Sequence, residues 1–235
     1  MELEIFGKKY KASIRRASDL KPVLAYPEKL TEDFDAYYMF RDIYRNEAEQ
    51  KRILDARLRY DYTIIPPAEI GGECIKTYGH YHPEVHPGMS YPEVYQVLEG
   101  EAIYLLQKVE GDRVVDCIAV ESKRGDVVII PPNYGHVTIN PSNKTLKMSN
   151  WVCREFSSIY EPYTRMRGAC YYYVNKQWIG NPRYPELPDL KFAKPVNVLN
   201  ISGEMYDLVD DIGRLSFLTA PQKNEDLFKN CLKIK

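Results

Sequence analysis

Apolar residues along this chain fall into short runs, and most of these end at a proline or a glycine turn. The run Asp61-Tyr62-Thr63-Ile64-Ile65 is rich in β-formers and stops at Pro66-Pro67. Gly71-Gly72 marks a turn before a run over residues 73–78, and Glu99-Gly100 another before the run EAIYLLQ over 101–107. A hairpin-like turn at Glu110-Gly111-Asp112 leads into RVVDCIAV (113–120). Gly125-Asp126 precedes Val127-Val128-Ile129-Ile130, which halts at Pro131-Pro132. Further strands are predicted over 137–140, 146–153 and 169–174. Strands this short, recurring roughly every 8–12 residues, predict an all-β sandwich or barrel.

The flanks have a different texture. In residues 1–58, Thr31 is placed to cap a short helical segment through Phe34, and Tyr37-Tyr38-Met39-Phe40 reads as a strand. Residues 46–57 are charged and helix-prone. From about Pro185 the chain is punctuated by prolines (PELPDLKFAKP), which predicts an extended course over the surface, with a short helix over 224–232. The expected division is therefore an N-terminal strand and helix extension (1–58), a core (59–184) and a C-terminal surface extension (185–235).

Composition narrows the function classes. Apolar residues make up 44% and charged residues 28%, and the formal net charge of −1 is spread without a basic cluster. This argues against nucleic acid and against an anionic membrane as partners. No apolar run is long enough for a signal peptide or a membrane span, so a cytoplasmic setting is expected. The five cysteines are odd in number and never in a C-x-x-C arrangement, so they read as small buried hydrophobes rather than a disulfide framework. Tyrosine is over-represented, with 20 copies against 7 of phenylalanine, which suits half-wet surfaces such as a polar barrel interior or a subunit interface.

The histidines carry the chemistry. There are only four, at 80, 82, 86 and 136, all in the strand-rich centre. In GHYHP, His80 and His82 are one residue apart, a spacing that puts both side chains on one face of a strand, about 7 Å apart along it. Two imidazoles so placed can converge on one ion. His86, in the proline- and glycine-containing stretch EVHPGMSYP, reads as a rim or surface residue.

Two longer patterns contain these residues. One is His80-x-His82, then Glu93, then six residues and Gly100. The other is Gly125, Pro131, His136 and Asn140 in GDVVIIPPNYGHVTIN. Together they resemble the two motifs of the cupin superfamily. The resemblance implies a jelly-roll, or double-stranded β-helix, barrel holding one divalent metal on His80, His82, Glu93 and His136. Iron is expected first, with manganese, nickel or zinc as the other options. Two departures stand out. Asn133 replaces a glycine in the second motif, a mild change because asparagine tolerates positive φ. Ten residues separate His82 from Glu93 where the superfamily has three or four, and they read as an inserted loop.

Within the cupins, the segments GGECIKTYGHYHP, PEVYQVLEGEAIYLLQ, GDVVIIPPNYGHVTINP and LKMSNWV resemble the cupin-type glucose-6-phosphate isomerases, as do IRRASDL and GNPRY. The likeness covers about residues 13–184. It implies an enzyme that interconverts glucose 6-phosphate and fructose 6-phosphate in glycolysis and gluconeogenesis, as a homodimer. It assigns the substrate phosphate to Thr63, Thr77 and Gly79 and sugar contacts to Tyr95 and Tyr160. Glu93, near both the metal and the carbon acid, is the candidate catalytic base, with a hydride shift between C1 and C2 as the competing route. A family tyrosine corresponds to either Tyr37 or Tyr44. A family histidine aligns with Ser158, and a common lysine with Tyr78. The Ser158 departure keeps open a cupin that binds a sugar phosphate without converting it. A dioxygenase or oxidase on the same ligand set is the other alternative.

Overall fold

The computed structural model describes residues 1–111 and 113–235. Residue 112, at the tip of the turn expected over 110–112, lies outside them. Two facing sheets form the body. The strands that build it are β1 (Ser13–Arg16), β2 (Asp35–Phe40), β3 (Leu58–Ile65), β4 (Glu93–Glu99), β5 (Glu101–Glu110) and β6 (Arg113–Lys123). They continue as β7 (Val127–Ile130), β8 (Tyr134–Ile139), β9 (Leu146–Cys153), β10 (Leu190–Pro195) and β11 (Leu232–Ile234). One sheet runs β7-β4-β9-β3-β2-β1, with antiparallel neighbours throughout. The other runs β8-β5-β6-β10-β11, antiparallel except where β10 joins β6 in parallel.

From β4 to β9 the chain passes back and forth between the two sheets, which is the winding of the cupin jelly roll. Gly100 makes the first passage, between β4 and β5. Its φ is +77°, and a Cβ there would stand 2.5 Å from the carbonyl oxygen of Thr145, so the crossing has no room for a side chain.

The strands β3, β4, β7 and β9 of the first sheet are buried on both faces, and their period-2 alternation shows how. Val128 and Ile130 of β7 point into the barrel with Tyr95, Val97 and Met148. Val127 and Ile129 point the other way, into a second apolar layer with Val94, Tyr60, Tyr62, Ile64 and Trp151. That outer layer is closed by the helix α1 (Glu47–Asp55), capped by the Asn46 side chain, and by a helical segment at Met205–Leu218. The alternation also sends Arg59, Asp61 and Thr63 of β3 toward the barrel interior.

The C-terminal residues therefore take a different position from the surface course expected of them. Leu190–Pro195 enters the second sheet as β10. Met205, Tyr206, Leu208, Val209, Phe217 and Leu218 are buried in the outer layer. Gln96 and Trp151 side chains bond the backbone at Gly203 and Met205, which docks the segment on the sheet. A short helix over Glu225–Asn230 agrees with the expectation. Thr31 caps no helix: residues 30–34 are irregular and lead directly into β2.

The stretch between His82 and Glu93 is a hairpin, Glu84–His86 against Met89–Ser90. It docks on Asn133, which takes φ 70° in the turn before β8. The Asn133 side chain accepts from the Ser90 backbone at 2.9 Å and donates to the Gly88 carbonyl at 2.8 Å, while its own backbone N–H donates to Ser90 Oγ at 2.7 Å. The two departures from the superfamily motifs are thus one feature: the asparagine that replaces a glycine holds the insertion.

Candidate metal centre and pocket

His80 and His136 face each other across an antiparallel bridge, with backbone bonds running both ways at 3.2 and 3.0 Å. His82 follows on the same extended segment, and Glu93 opens β4. One donor atom from each of these four residues lies within 4.8 Å of the others. His80 Nε2 is 3.1 Å from His82 Nε2, and Glu93 Oε2 is 3.4 Å from both His82 Nε2 and His136 Nε2. His82 Nδ1 donates to the carbonyl of Tyr91 at 2.9 Å, which leaves the Nε2 lone pair bare and aimed inward.

This donor set fits a divalent metal. Neighbouring ligands of an octahedral ion with bonds of about 2.1 Å stand about 3.0 Å apart, close to the spacings found here. Bare imidazole nitrogens at that distance repel one another unless a cation lies between them. Burial, reinforced by His136 and His82, holds the His80 imidazole well below its usual range. Burial also pushes His82 down to about 4, against the attraction of Glu93. For Glu93 burial acts upward, but the hydrogen bond to His136 and the imidazoles of His82 and His136 outweigh it, and the carboxyl stays below its ordinary value. At neutral pH the centre therefore offers the neutral imidazoles of His80 and His82 and the Glu93 carboxylate, protonation states a metal requires.

Three of the four donors, His80, His82 and Glu93, line one pocket. Thr63, Thr77, Gly79, Tyr95 and Tyr160 line the same pocket, as do Tyr78 and Ser158. Thr77 accepts from the Thr138 backbone at 2.9 Å, so its hydroxyl is oriented and its own proton remains to be donated. Gly79, at φ +88°, has the ring of Tyr163 and a methyl of Val137 where a Cβ would sit, so packing as well as ligand access demands glycine. The Tyr95 hydroxyl is 3.1 Å from His136 Nε2, which ties this residue to the centre itself. Tyr160 is 40% exposed at the rim and packs edge-on against Tyr78. Of the two candidate N-terminal tyrosines, Tyr37 lines the pocket, whereas Tyr44 does not and packs under Lys8. His86 is exposed on the inserted hairpin and takes no part in the four-donor group.

Several lining residues had no signal in the motifs. Asn150 donates to Glu93 Oε1 at 2.7 Å, so the two carboxylate oxygens have different partners. Phe156 packs on His82, with ring centroids 4.5 Å apart. Arg41 and Arg59 also line the pocket, both bonded to the fully buried Asp61. The alternation of LRYDYTII assigns residues 59 and 61 to the face of Thr63, and that pattern was the available clue.

A family model for Glucose-6-phosphate isomerase (GPI) matches residues 14–188. The glucose-6-phosphate isomerase of Thermococcus litoralis is 33% identical over 137 residues, which is 57% of this chain and 65% of that protein. That of Pyrococcus furiosus is 32% identical over 134 residues, 55% of this chain and 64% of that one. The chain thus spans slightly under two thirds of these relatives. Among solved structures, an oxalate decarboxylase of Bacillus subtilis matches with a TM-score of 0.39 and 14% identity, over 54% of this chain and 28% of the other. The 7S globulin of Momordica charantia gives 0.39 and 14%, over 63% and 34%. With the family match extending over most of the chain and enclosing all four candidate ligands, this protein belongs to the glucose-6-phosphate isomerase family.

Proposed function

We propose that the protein interconverts glucose 6-phosphate and fructose 6-phosphate at a metal held by His80, His82, Glu93 and His136. The observation that carries this reading is the shared pocket: His80, His82 and Glu93 of the four-donor group line one cavity with Thr63 and Thr77. When bound, a divalent metal supplies Lewis acidity to the oxygens of an open-chain sugar; iron is our first candidate, before manganese, nickel and zinc. Thr63, Thr77 and the Gly79 backbone would take the phosphate as hydrogen-bond donors. Tyr95 and Tyr160 would border the sugar chain.

Aldose–ketose conversion moves one hydrogen between C1 and C2. Glu93 is our candidate for the base, because its carboxylate stays ionised and Asn150 fixes its orientation. A direct hydride shift is the competing route. Solvent deuterium appearing at C2 would favour the enediol, and complete retention of substrate label would favour the hydride shift.

The reading includes a homodimer and a cytoplasmic setting. Among the described residues, no helix is long and apolar enough to cross a membrane. Light scattering at micromolar concentration tests the dimer. The function is tested by a coupled assay from fructose 6-phosphate to glucose 6-phosphate on metal-loaded protein, with Glu93→Ala beside it. Turnover that Glu93→Ala abolishes is expected. Tight sugar-phosphate binding without turnover under any of the four metals would favour the non-catalytic binder, a reading to which Ser158 in the pocket wall lends weight.

A further inference from the structure

Asp61 is fully buried, yet it lies among charges. Its carboxylate accepts from Arg41 Nη1 at 2.6 Å, from Arg59 Nε at 2.7 and 3.0 Å, and from the Asp42 backbone at 3.0 Å. One guanidinium would neutralise it; two leave the cluster with a net positive charge. The arginine side chains are 41% and 27% exposed, and both line the pocket. Arg41 Nη2 rests on the thioether of Met39, a weak acceptor, at 3.3 Å. Neither Nη group of Arg59 has a hydrogen-bond partner among the described residues. Strong donors on a partly desolvated cation are thus left facing the cavity.

The strand register says which end of the pocket this is. Asp61 is opposite Asn150, which is opposite Tyr95; Arg59 is opposite Val152, which is opposite Glu93. The arginines therefore occupy the rows of the metal centre. Thr63 lies one pair of residues further, beside Met39 and Met148, about 7 Å along the strand. Arg41 is also near enough for its charge to act on Glu93, Tyr95 and His80.

We propose that Arg41 and Arg59, clamped by Asp61, form an oxyanion subsite at the metal end of the pocket that binds negative charge on the carbonyl end of the sugar. This rests on the isomerase reading for its substrate. Proton transfer between C1 and C2 leaves negative charge on the adjacent oxygens, and a guanidinium fork matches two such oxygens as it matches a carboxylate. Donors already oriented before the charge develops stabilise the transition state more than the ground state. A sugar acid phosphate carries that charge permanently, so it reports on the subsite without turnover.

The test is titration calorimetry on metal-loaded protein with D-arabinonate 5-phosphate and with D-arabinitol 5-phosphate, which has a neutral CH2OH in place of the carboxylate. Metal content and melting temperature are measured on every variant. The preference for the carboxylate is expected to shrink about tenfold or more in Arg59→Met, with affinity for the alcohol little changed. Arg41→Lys keeps a charge on Asp61 while losing the fork, so it folds even if Arg59→Met does not, and the same narrowing is expected. In the isomerase assay kcat should fall about 10- to 100-fold in either variant, with KM nearly unchanged. A carboxylate preference equal to wild type in a folded, metal-loaded variant overturns the subsite, whether or not the wild type isomerises. A preference that narrows in a protein without turnover upholds the subsite and removes the isomerase reading instead.

Discussion

Asn150 and Tyr91 touch no proposed substrate atom, yet they decide how two of the four donors stand. The Asn150 amide holds one oxygen of Glu93, and the Tyr91 carbonyl fixes the tautomer of His82. Outer partners of this kind orient the ligands they bond. Asn150→Ala should therefore weaken metal binding or activity about 10- to 100-fold, as read by competition with a chromophoric chelator. An unchanged affinity would remove Asn150 from the centre. His82 gives a pH prediction with a definite sign. Its folded value, about 4, lies below the ordinary 6.5, so the unfolded chain binds more protons between these two values. Metal-stripped protein should lose stability as pH falls from 6.5 to 4, and His82→Gln should flatten that slope in urea titrations at stepped pH. The four grouped donors were named from sequence, His80 and His82 by their H-x-H alternation and Glu93 and His136 by the resemblance to the two cupin motifs. Asn150 and Arg41 were not, since their contacts with Glu93 and Asp61 arise from register between different strands.

At the scale of elements, the inserted hairpin and Asn133 form a coupled pair. Asn133→Gly keeps the positive φ but deletes two side-chain hydrogen bonds, worth together about 1–3 kcal/mol. Amide exchange over residues 84–90 should accelerate, and the effect should reach the metal, because the hairpin runs into Tyr91. Exchange equal to wild type would show that the contact does not anchor the hairpin. The sequence announced both an insertion and a glycine replacement, but nothing local linked them. Apart from β4, the strands β3 to β9 were legible from runs of β-formers between turns. Thr31 misled because a capping residue needs an apolar face behind it to sustain a helix, and residues 30–34 pass straight into β2.

At the scale of the molecule, the sheet carrying Arg59, Asp61, Thr63, Glu93 and Asn150 is packed on both sides. The C-terminal segment supplies part of the outer layer, with Tyr206 against Tyr60 at 4.9 Å between ring centroids and hydrogen-bonded to Glu49. Tyr206→Ala should cost about 3–5 kcal/mol in chemical denaturation, with fluorescence and circular dichroism following one transition. A small loss, or a separate early transition, would mean that the segment folds independently of the barrel. Proline punctuation hid this role, because a tail that closes a distant sheet shows no period of its own.

His80, His82, Glu93 and His136 are proposed to hold the metal on which isomerisation depends, so binding and turnover need to be measured together. Chelator-stripped protein would be titrated with ferrous ion under anaerobic conditions, with metal bound and fructose 6-phosphate converted both recorded at each step, for wild type and for His136→Ala. Activity is expected to rise in proportion to metal and to level off at one ion per chain, with neither binding nor turnover in the variant. Full activity in the stripped protein, or an equally active His136→Ala, would contradict it.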